Sequence, residues 1–139
     1  MTQYNNPTPV GVHLQAAYSD GKVGLVLIQR ADNHQWALPG GYIETNIDSS
    51  AEDAAAREFF EETGIIACDG KLMYSTITPS GKLLIFSRSL DVFTLSLGQW
   101  QANKEVLAIR VATEPEQLCY PAHTTAMELW FDKKDTWYV

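Results

Sequence analysis

The N-terminal part of the chain alternates apolar runs with polar turn residues. Residues 10–18 alternate loosely between apolar and polar, residues 22–30 are mostly apolar, and Asp20-Gly21 lies between them. A two-residue Asp-Gly turn between apolar runs is typical of a β-hairpin. The second strand is apolar on both faces, which indicates a central strand covered on both sides. The pattern therefore predicts a sheet with helices on either face.

A helix follows with both of its ends marked. Ser49 or Ser50 can cap its start, Glu52 and Asp53 occupy the first turn, and Gly64 follows its last residue. Capping side chains, early acids and a C-terminal glycine are the usual signals of helix ends. We therefore predict one helix from position 49 or 50 to Gly64.

The faces of this helix differ sharply in polarity. At about 100° per residue, one arc holds Ala55, Ala56, Phe59 and Phe60. A separate arc holds Glu58, Glu61 and Glu62. The apolar arc is expected to face the core and the acidic arc to face outward.

The three glutamates of the acidic arc repel one another. Like charges three or four residues apart destabilise a helix by about 0.2–0.5 kcal/mol per pair, and Arg57 is the basic residue within the helix. A solvated acidic surface is the ordinary explanation of such a run. A divalent cation fits better, because Mg²⁺ and Mn²⁺ prefer carboxylate oxygens.

Residues 57–65, Arg-Glu-Phe-Phe-Glu-Glu-Thr-Gly-Ile, match the second half of the Nudix box residue for residue. The preceding Trp-Ala-Leu-Pro-Gly-Gly of residues 36–41 is also typical of the approach to that box. The chain therefore resembles a Nudix hydrolase. The resemblance implies an α/β fold, with a mixed β-sheet sandwiched between α-helices. It also implies Mg²⁺-dependent hydrolysis of a diphosphate bond, with Mn²⁺ as a substitute.

The resemblance also implies roles for individual residues. Glu58, Glu61 and Glu62 would bind the metal, with the backbone of Gly40 as a further ligand. Arg57 would orient one glutamate, most plausibly Glu61, through a charge-assisted hydrogen bond. The general base is then either Glu61 or Glu105, an acid on a later loop, and the sequence leaves both open.

The first half of the box departs from the family pattern. Counting back from Arg57 places Ser49 where the first box glutamate belongs and Ile43 where the glycine belongs. We infer two extra residues between Gly41 and the helix. Asp48 or Glu44 could replace the missing glutamate.

The remaining apolar runs predict more strands and two helices. Strands are expected over residues 65–68, 71–78, 83–86, 90–97 and 105–111. A short helix is expected over 113–118, where a threonine cap, early acids and a proline occur together. A final helix is expected to begin in residues 119–131.

Family resemblance suggests that the later strands and the C-terminal segment shape the substrate pocket. Candidate substrate contacts are Tyr74, Phe86, Arg88, Trp100 and His123. For each of the first four, core packing or a surface position is the stronger alternative. Residues 118–124, Leu-Cys-Tyr-Pro-Ala-His-Thr, are similar to a segment of a bacterial Nudix subgroup associated with ADP-ribose-like substrates. For His123, a purely structural hydrogen bond is equally compatible with the sequence.

Composition limits the compartment and the partners. The 139 residues fit one domain, 1–139, and the net charge of −7 argues against a nucleic-acid duplex as the main ligand. No apolar run is long enough for a membrane span, and no signal sequence is evident, so we expect a cytoplasmic protein. Cys68 and Cys119 are isolated and indicate neither zinc nor a disulfide. A homodimer is compatible with the resemblance.

The sequence leaves three functions open. A hydrolase of ADP-ribose or a nucleotide sugar is favoured by the C-terminal segment. A housecleaning nucleoside triphosphate pyrophosphohydrolase is the second possibility. A non-catalytic nucleotide-binding module is the third, because the altered loop before the helix could have cost the chemistry.

Overall fold

The computed structural model describes residues 8–67, 70–95 and 100–138. Two helices and seven strands lie in these ranges. In chain order they are β1 (Val10–Ser19), β2 (Lys22–Arg30), β3 (Trp36–Ala37), β4 (Gly40–Tyr42), α1 (Ala51–Thr63), β5 (Gly70–Ile77), β6 (Leu83–Thr94), β7 (Val106–Ala112) and α2 (Pro121–Trp137).

The predicted hairpin is confirmed by the antiparallel pairing of β1 and β2. Ser19 pairs with Lys22, and the two turn residues Asp20 and Gly21 have φ angles of 51° and 77°. Positive φ at both central residues matches the twist of the flanking strands. The Asp-Gly pair therefore fixes the register of the first two strands.

The two strands of the hairpin separate beyond the turn, and the segment from β3 to β4 fills the gap. β4 pairs with residues 10–12 of β1, and β3 pairs with Ile28 and Gln29 of β2. Between these pairings, the N–H of His13 donates to the carbonyl of Pro39 at 2.8 Å. The two glycines of β4 are thus held inside the sheet rather than in a free loop.

Both parallel and antiparallel pairings occur in this sheet. β1 runs parallel to β6, β6 is antiparallel to β5, and β7 is antiparallel to β2. The sheet order is β3-β2-β1-β6-β5, with β4 and β7 pairing to β1 and β2 off this path. The predicted mixed sheet is confirmed.

The two helices cover opposite faces of the sheet. Successive strand residues point to opposite faces, so Val12 and Leu14 share a cluster with Met127 and Trp130 of α2. On the other face, Phe59 of α1 packs with Ala17 and Val26. The α/β sandwich that the sequence predicted is therefore confirmed.

Helix α1 begins and ends where its caps predicted. The side chain of Ser50 accepts a hydrogen bond from the N–H of Asp53, and Gly64 ends the helix with a φ of 73°. The predicted apolar arc is wrong at Phe60, which is 49% exposed. The buried stripe instead runs through Ala55 and Phe59 to Glu62, because the helix rests on the sheet along that line.

Three other sequence predictions need correction. Residues 65–67 are not a strand, because the N–H of Ile65 bonds to the Thr63 hydroxyl as the chain leaves α1; Cys68 lies outside the described residues. Residues 83–94 form one strand with a register shift rather than two strands, and residues 96 and 97 lie outside the described ranges. Residues 113–118 are not helical, since Leu118 is buried in the core and its N–H donates to Thr124.

Within the described part of the chain, neither helix has the length and hydropathy needed to cross a membrane.

Candidate functional site

Arg57 organises a cluster of acidic side chains around itself. Its Nε and Nη2 donate to the two carboxylate oxygens of Asp48 at 3.0 and 2.9 Å. Its Nη1 donates to Glu58 and Glu61, both at 3.1 Å, and Nη2 also reaches the carbonyl of Tyr42 at 3.1 Å. The expected contact with Glu61 is present, and it belongs to a wider network.

Asp48, one of the two sequence alternatives for the missing first box glutamate, is buried against Arg57. Its side chain is 3% exposed and forms a two-pronged ion pair with Arg57, which lowers the pKa of Asp48. Glu44, the other sequence alternative, lies 3.9 Å from Arg57 and is 54% exposed. The longer loop therefore still delivers a buried carboxylate to the arginine.

Replacing Asp48 by asparagine should lower the free energy of unfolding. Arg57 would lose a charged, bidentate partner inside a largely buried network, and such bonds are worth about 1.5–3 kcal/mol. Urea unfolding of Asp48→Asn should show a loss of about 2 kcal/mol. Glu44→Gln is the matched control and should change stability by less than about 0.5 kcal/mol. Equal losses in the two variants would contradict this assignment.

Glu62 is buried against the glycine pair. It is 7% exposed, and one carboxylate oxygen accepts the N–H of Gly40 at 3.0 Å. Burial raises the pKa of Glu62 to about 8, opposed by the Gly40 bond and reinforced by the negative charges of Glu58 and Glu105. The positive charge of Arg30 acts in the lowering direction. The nearby positive charge is therefore too small to offset the effect of burial on the pKa of Glu62.

Glu58 lies directly over Gly41. A Cβ at position 41 would be 2.3 Å from the carboxyl carbon of Glu58, so a larger residue there would displace the Glu58 carboxylate from this position. Burial and the charge of Glu61 raise the pKa of Glu58, while Arg57 acts in the opposite direction. Both glycines therefore contact carboxylates. The N–H of Gly40 donates to Glu62, and the missing side chain of Gly41 leaves space for Glu58.

Glu105 reaches the same cluster from the other side. It immediately precedes β7, its backbone carbonyl accepts the N–H of Ala31 at 2.9 Å, and its own N–H donates to Asn103 at 2.9 Å. Its charge raises the pKa of both Glu58 and Glu62. The structure therefore brings the second candidate base within electrostatic reach of two predicted metal ligands.

The donors fit a divalent cation in kind. Two of the three glutamates have raised pKa values, which a bound cation would reverse. In residues 8–67, 70–95 and 100–138, no three acidic, histidine or cysteine side chains are already arranged as a metal site. Glu58 and Glu61 instead accept hydrogen bonds from Arg57, and Glu62 accepts one from the N–H of Gly40. Metal binding would require these side chains to change partners.

A groove of about 410 Å³ opens beside the cluster. Its walls include Glu61 and Glu62 on one side and Trp100 and Asn103 on another. Trp100 packs on the buried cluster of Ile28, Ala37 and Val106. A larger groove of about 640 Å³ lies between residues 115–119 and the start of α2, and none of its lining residues belongs to the acidic cluster.

Three of the other substrate candidates lie on the α2 side of the sheet, away from α1. Phe86 is fully buried and contacts Tyr74, with ring centroids 5.7 Å apart. The guanidinium of Arg88 lies 4.3 Å from the centre of the Trp137 ring. The structure does not bring these side chains to the acidic cluster, and Phe86 has no surface left for a ligand.

His123 is buried beneath the glycine segment. It is 6% exposed, and its Nδ1 accepts the N–H of Leu38 at 3.2 Å. This bond is the structural role that the sequence left open. Burial lowers the pKa of His123 to about 3, so the ring is neutral at ordinary pH.

The low pKa of His123 predicts a pH dependence of stability. The pKa of His123 in the folded protein lies below the usual 6.5. The contribution of the neutral ring to the free energy of unfolding is therefore complete above about pH 6.5 and is lost as the pH falls toward 3. Within that window the contribution changes by about 1.4 kcal/mol per pH unit. Urea unfolding at several pH values should show a steeper loss for the wild type than for His123→Gln. Parallel curves would contradict a neutral, buried imidazole.

Arg30 is the functional candidate that sequence reasoning missed. It is the last residue of β2, pairs in register with Val106, and therefore lies next to Glu105. Its guanidinium is paired with Asp32 and lies 5.4 Å from the centre of the Tyr120 ring. The sequence signal is a basic residue at the end of a mostly apolar strand.

Comparison with known proteins identifies the family of this chain. The NUDIX domain family matches residues 9–133. A MutT-like protein of Streptomyces ambofaciens is 52% identical over 46 residues, which cover 33% of this chain and 27% of that relative. The chain thus matches about a quarter of the relative's length.

Solved structures share the fold at low sequence identity. The NUDIX domain of Shewanella oneidensis NrtR, complexed with ADP ribose, has a TM-score of 0.74 at 16% identity, covering 94% of this chain and 90% of that one. NrtR complexed with a 27mer DNA has a TM-score of 0.66 at 17% identity, covering 91% of this chain and 61% of that one. A NUDIX hydrolase from Nitrosomonas europaea has a TM-score of 0.69 at 19% identity, covering 96% of this chain and 75% of that one.

These matches confirm the predicted family and fold. The family match covers the glycine pair, the acidic helix and Arg30 together. The chain belongs to the Nudix domain family.

Proposed function

We propose that this protein is a metal-dependent hydrolase of a diphosphate bond in a nucleoside diphosphate linked to another moiety. ADP-ribose or a nucleotide sugar is the favoured substrate. The observation that carries the proposal is the carboxylate cluster beside the glycine pair. Arg57 holds Glu58 and Glu61, and the N–H of Gly40 holds Glu62. Burial is the main cause of the raised pKa values of Glu58 and Glu62, and a divalent cation bound there would lower both.

Each residue of the cluster has a proposed role. Glu58, Glu61 and Glu62 would hold Mg²⁺ or Mn²⁺, with the Gly40 carbonyl as a further ligand. The bound ion would neutralise phosphate oxygens and lower the pKa of a water molecule. Arg57 holds Glu58 and Glu61 in place. Glu61 and Glu105 remain the two candidate bases, and a base must lie within hydrogen-bond reach of the attacking water.

Two observations favour a nucleotide-sugar substrate. The related NUDIX domain of NrtR binds ADP ribose in its crystal structure, and residues 118–124 resemble the segment of a subgroup associated with such substrates. Trp100 lies in the groove beside Glu61, where an aromatic ring could stack on a base.

Two alternatives have their own support. The MutT-like relative leaves a nucleoside triphosphate pyrophosphohydrolase open. The complex of NrtR with DNA supports a non-catalytic, nucleotide-sensing module as a third possibility. The net charge of −7 weighs against a DNA duplex as ligand here, and the complete set of glutamates favours catalysis.

A substrate panel separates these functions. Purified protein with Mg²⁺ would be given ADP-ribose, other nucleotide sugars, dinucleotides and nucleoside triphosphates, and the products identified by chromatography. Fastest turnover of ADP-ribose or a nucleotide sugar, yielding a nucleoside monophosphate, is the expected result. Pyrophosphate release from triphosphates would favour the first alternative. Nucleotide binding without turnover across the whole panel would favour the second.

A further inference from the structure

Two buried polar side chains lie next to each other beneath α1. His13 of β1 contacts Phe59 of α1, with ring centroids 4.9 Å apart. Along β6, the neighbours of Ser87 are Phe86 and Arg88, and both lie on the α2 side of the sheet. Ser87 therefore points toward α1. His13 and Ser87 pair in register across the parallel strands β1 and β6, so their side chains are neighbours on the same face.

The ring of His13 is held in one orientation by Gln15. The amide nitrogen of Gln15 donates to the carbonyls of Ala16 and Asp91 at 2.9 and 3.3 Å, which fixes the amide. The amide oxygen then faces Nε2 of His13 at 2.9 Å. Because this oxygen can only accept, Nε2 carries the hydrogen.

The other ring nitrogen of His13 is left as an acceptor. Burial lowers the pKa of His13, opposed by the hydrogen bond to Gln15, so the ring is neutral at ordinary pH. A neutral imidazole with its hydrogen on Nε2 has a bare lone pair on Nδ1. Nδ1 therefore needs a donor.

Neither Nδ1 of His13 nor the hydroxyl of Ser87 has a hydrogen-bond partner among the residues that the structure describes. Both side chains are only 1% exposed, and nearly all buried polar groups in folded proteins bond to protein or to ordered water. Burial alone does not explain the pair. Ser89 is 2% exposed, yet its hydroxyl accepts the N–H of Ala16 at 2.9 Å and donates to the carbonyl of Asp91 at 3.0 Å.

We propose that His13 and Ser87 form a binding site for one buried water molecule. The water donates to Nδ1 of His13 and accepts the O–H of Ser87, so that both groups gain the partner they need. It joins β1 to β6 beneath Phe59, on the face of the sheet that carries α1. The inference concerns the core under the helix and holds whether or not the protein is a hydrolase.

A crystal structure of the wild-type protein that resolves ordered water tests the site directly. We expect one water oxygen within about 2.7–3.2 Å of both Nδ1 of His13 and Oγ of Ser87. Long-range proton–nitrogen NMR of protein labelled at histidine should show His13 with its hydrogen on Nε2 and a hydrogen-bonded Nδ1. A direct bond between the two side chains, or a water that contacts only one of them, would overturn the proposal.

Chemical denaturation of Ser87→Ala tests the same site through stability. If the hydroxyl holds a bridging water, its loss should raise the equilibrium constant of unfolding about five-fold, as for an ordinary buried hydrogen bond. If the hydroxyl has no partner, its removal should leave the stability unchanged or increase it, and that result would contradict the water site. Ser75→Ala is the matched control, because Ser75 is an exposed serine of the neighbouring strand β5, and it should match the wild type. The wild-type crystal structure decides the question if Ser87→Ala does not fold.

Discussion

Glu61→Gln is expected to lower kcat by at least about 100-fold, the lower end for loss of general acid–base catalysis. The amide can neither accept a proton nor bind a hard cation as a carboxylate does. The Glu61 side chain is 52% exposed, and its contact is a hydrogen bond from Arg57. The substitution should therefore leave folding nearly unchanged, and the effect should be visible in steady-state kinetics with Mg²⁺.

Glu52→Gln is the matched control for this prediction. Glu52 lies in the first turn of the same helix and carries the same charge, away from the cluster around Arg57. It should retain wild-type kcat. If Glu61→Gln keeps its activity, the base and metal-binding roles belong to other residues, and Glu105 becomes the first candidate for the base. Equal losses in both variants would indicate a general effect of charge on the helix.

Gly11→Ala is expected to cause a large loss of stability. A Cβ at this position would lie 2.2 Å from the carbonyl oxygen of Ala51 and 2.9 Å from the nitrogen of Ala55. Both are backbone atoms of α1, so the whole helix must move away from the sheet. Overpacking of this kind costs about 1–3 kcal/mol and occasionally more, and we expect about 3 kcal/mol.

Chemical denaturation of Gly11→Ala and Gly70→Ala measures this effect with a matched control. At Gly70, in β5, the nearest atom to an added Cβ would be the Ser87 hydroxyl at 3.4 Å, which is ordinary contact. Gly70→Ala should therefore stay within about 0.5 kcal/mol of wild type. Similar stabilities for the two variants would contradict the close packing of α1 on β1.

Features encoded by neighbouring residues could be predicted from the sequence. The Asp20-Gly21 turn and the caps at Ser50 and Gly64 depend on local backbone conformation, and all three occur where expected. The carboxylates of α1 share a face because of helical spacing alone. The meeting of Glu58 and Glu62 with the glycine pair also followed from the family motif, since helix and loop are adjacent in sequence.

Features decided by tertiary contacts could not be predicted in this way. Residues 113–118 carry helix-start signals, yet Leu118 is drawn into the core and Glu116 pairs with Arg110. Phe60 lies beside Phe59 on the helical wheel but outside the line of contact with the sheet. The direction of packing, rather than the apolar arc itself, decides which of the two is buried.

The same limit applies to the site. Arg30 and Glu105 meet only because β2 and β7 are neighbours in the sheet, and nothing in the local sequence signals that pairing. Phe86 and Arg88 are candidates through their place on a late strand, but α2 covers that face. The close pairing of Asp48 with Arg57 depends on the return of the longer loop to the arginine, which the sequence alone does not show.

The most direct test of the proposed function is turnover of ADP-ribose by the wild-type protein, first with Mg²⁺ and then after chelation. We expect hydrolysis to a nucleoside monophosphate and a sugar phosphate that stops on chelation and returns when Mg²⁺ or Mn²⁺ is added in excess. Turnover that is indifferent to chelation would contradict the metal-binding role of Glu58, Glu61 and Glu62. Absence of turnover with ADP-ribose and with every other member of the panel would contradict the hydrolase itself.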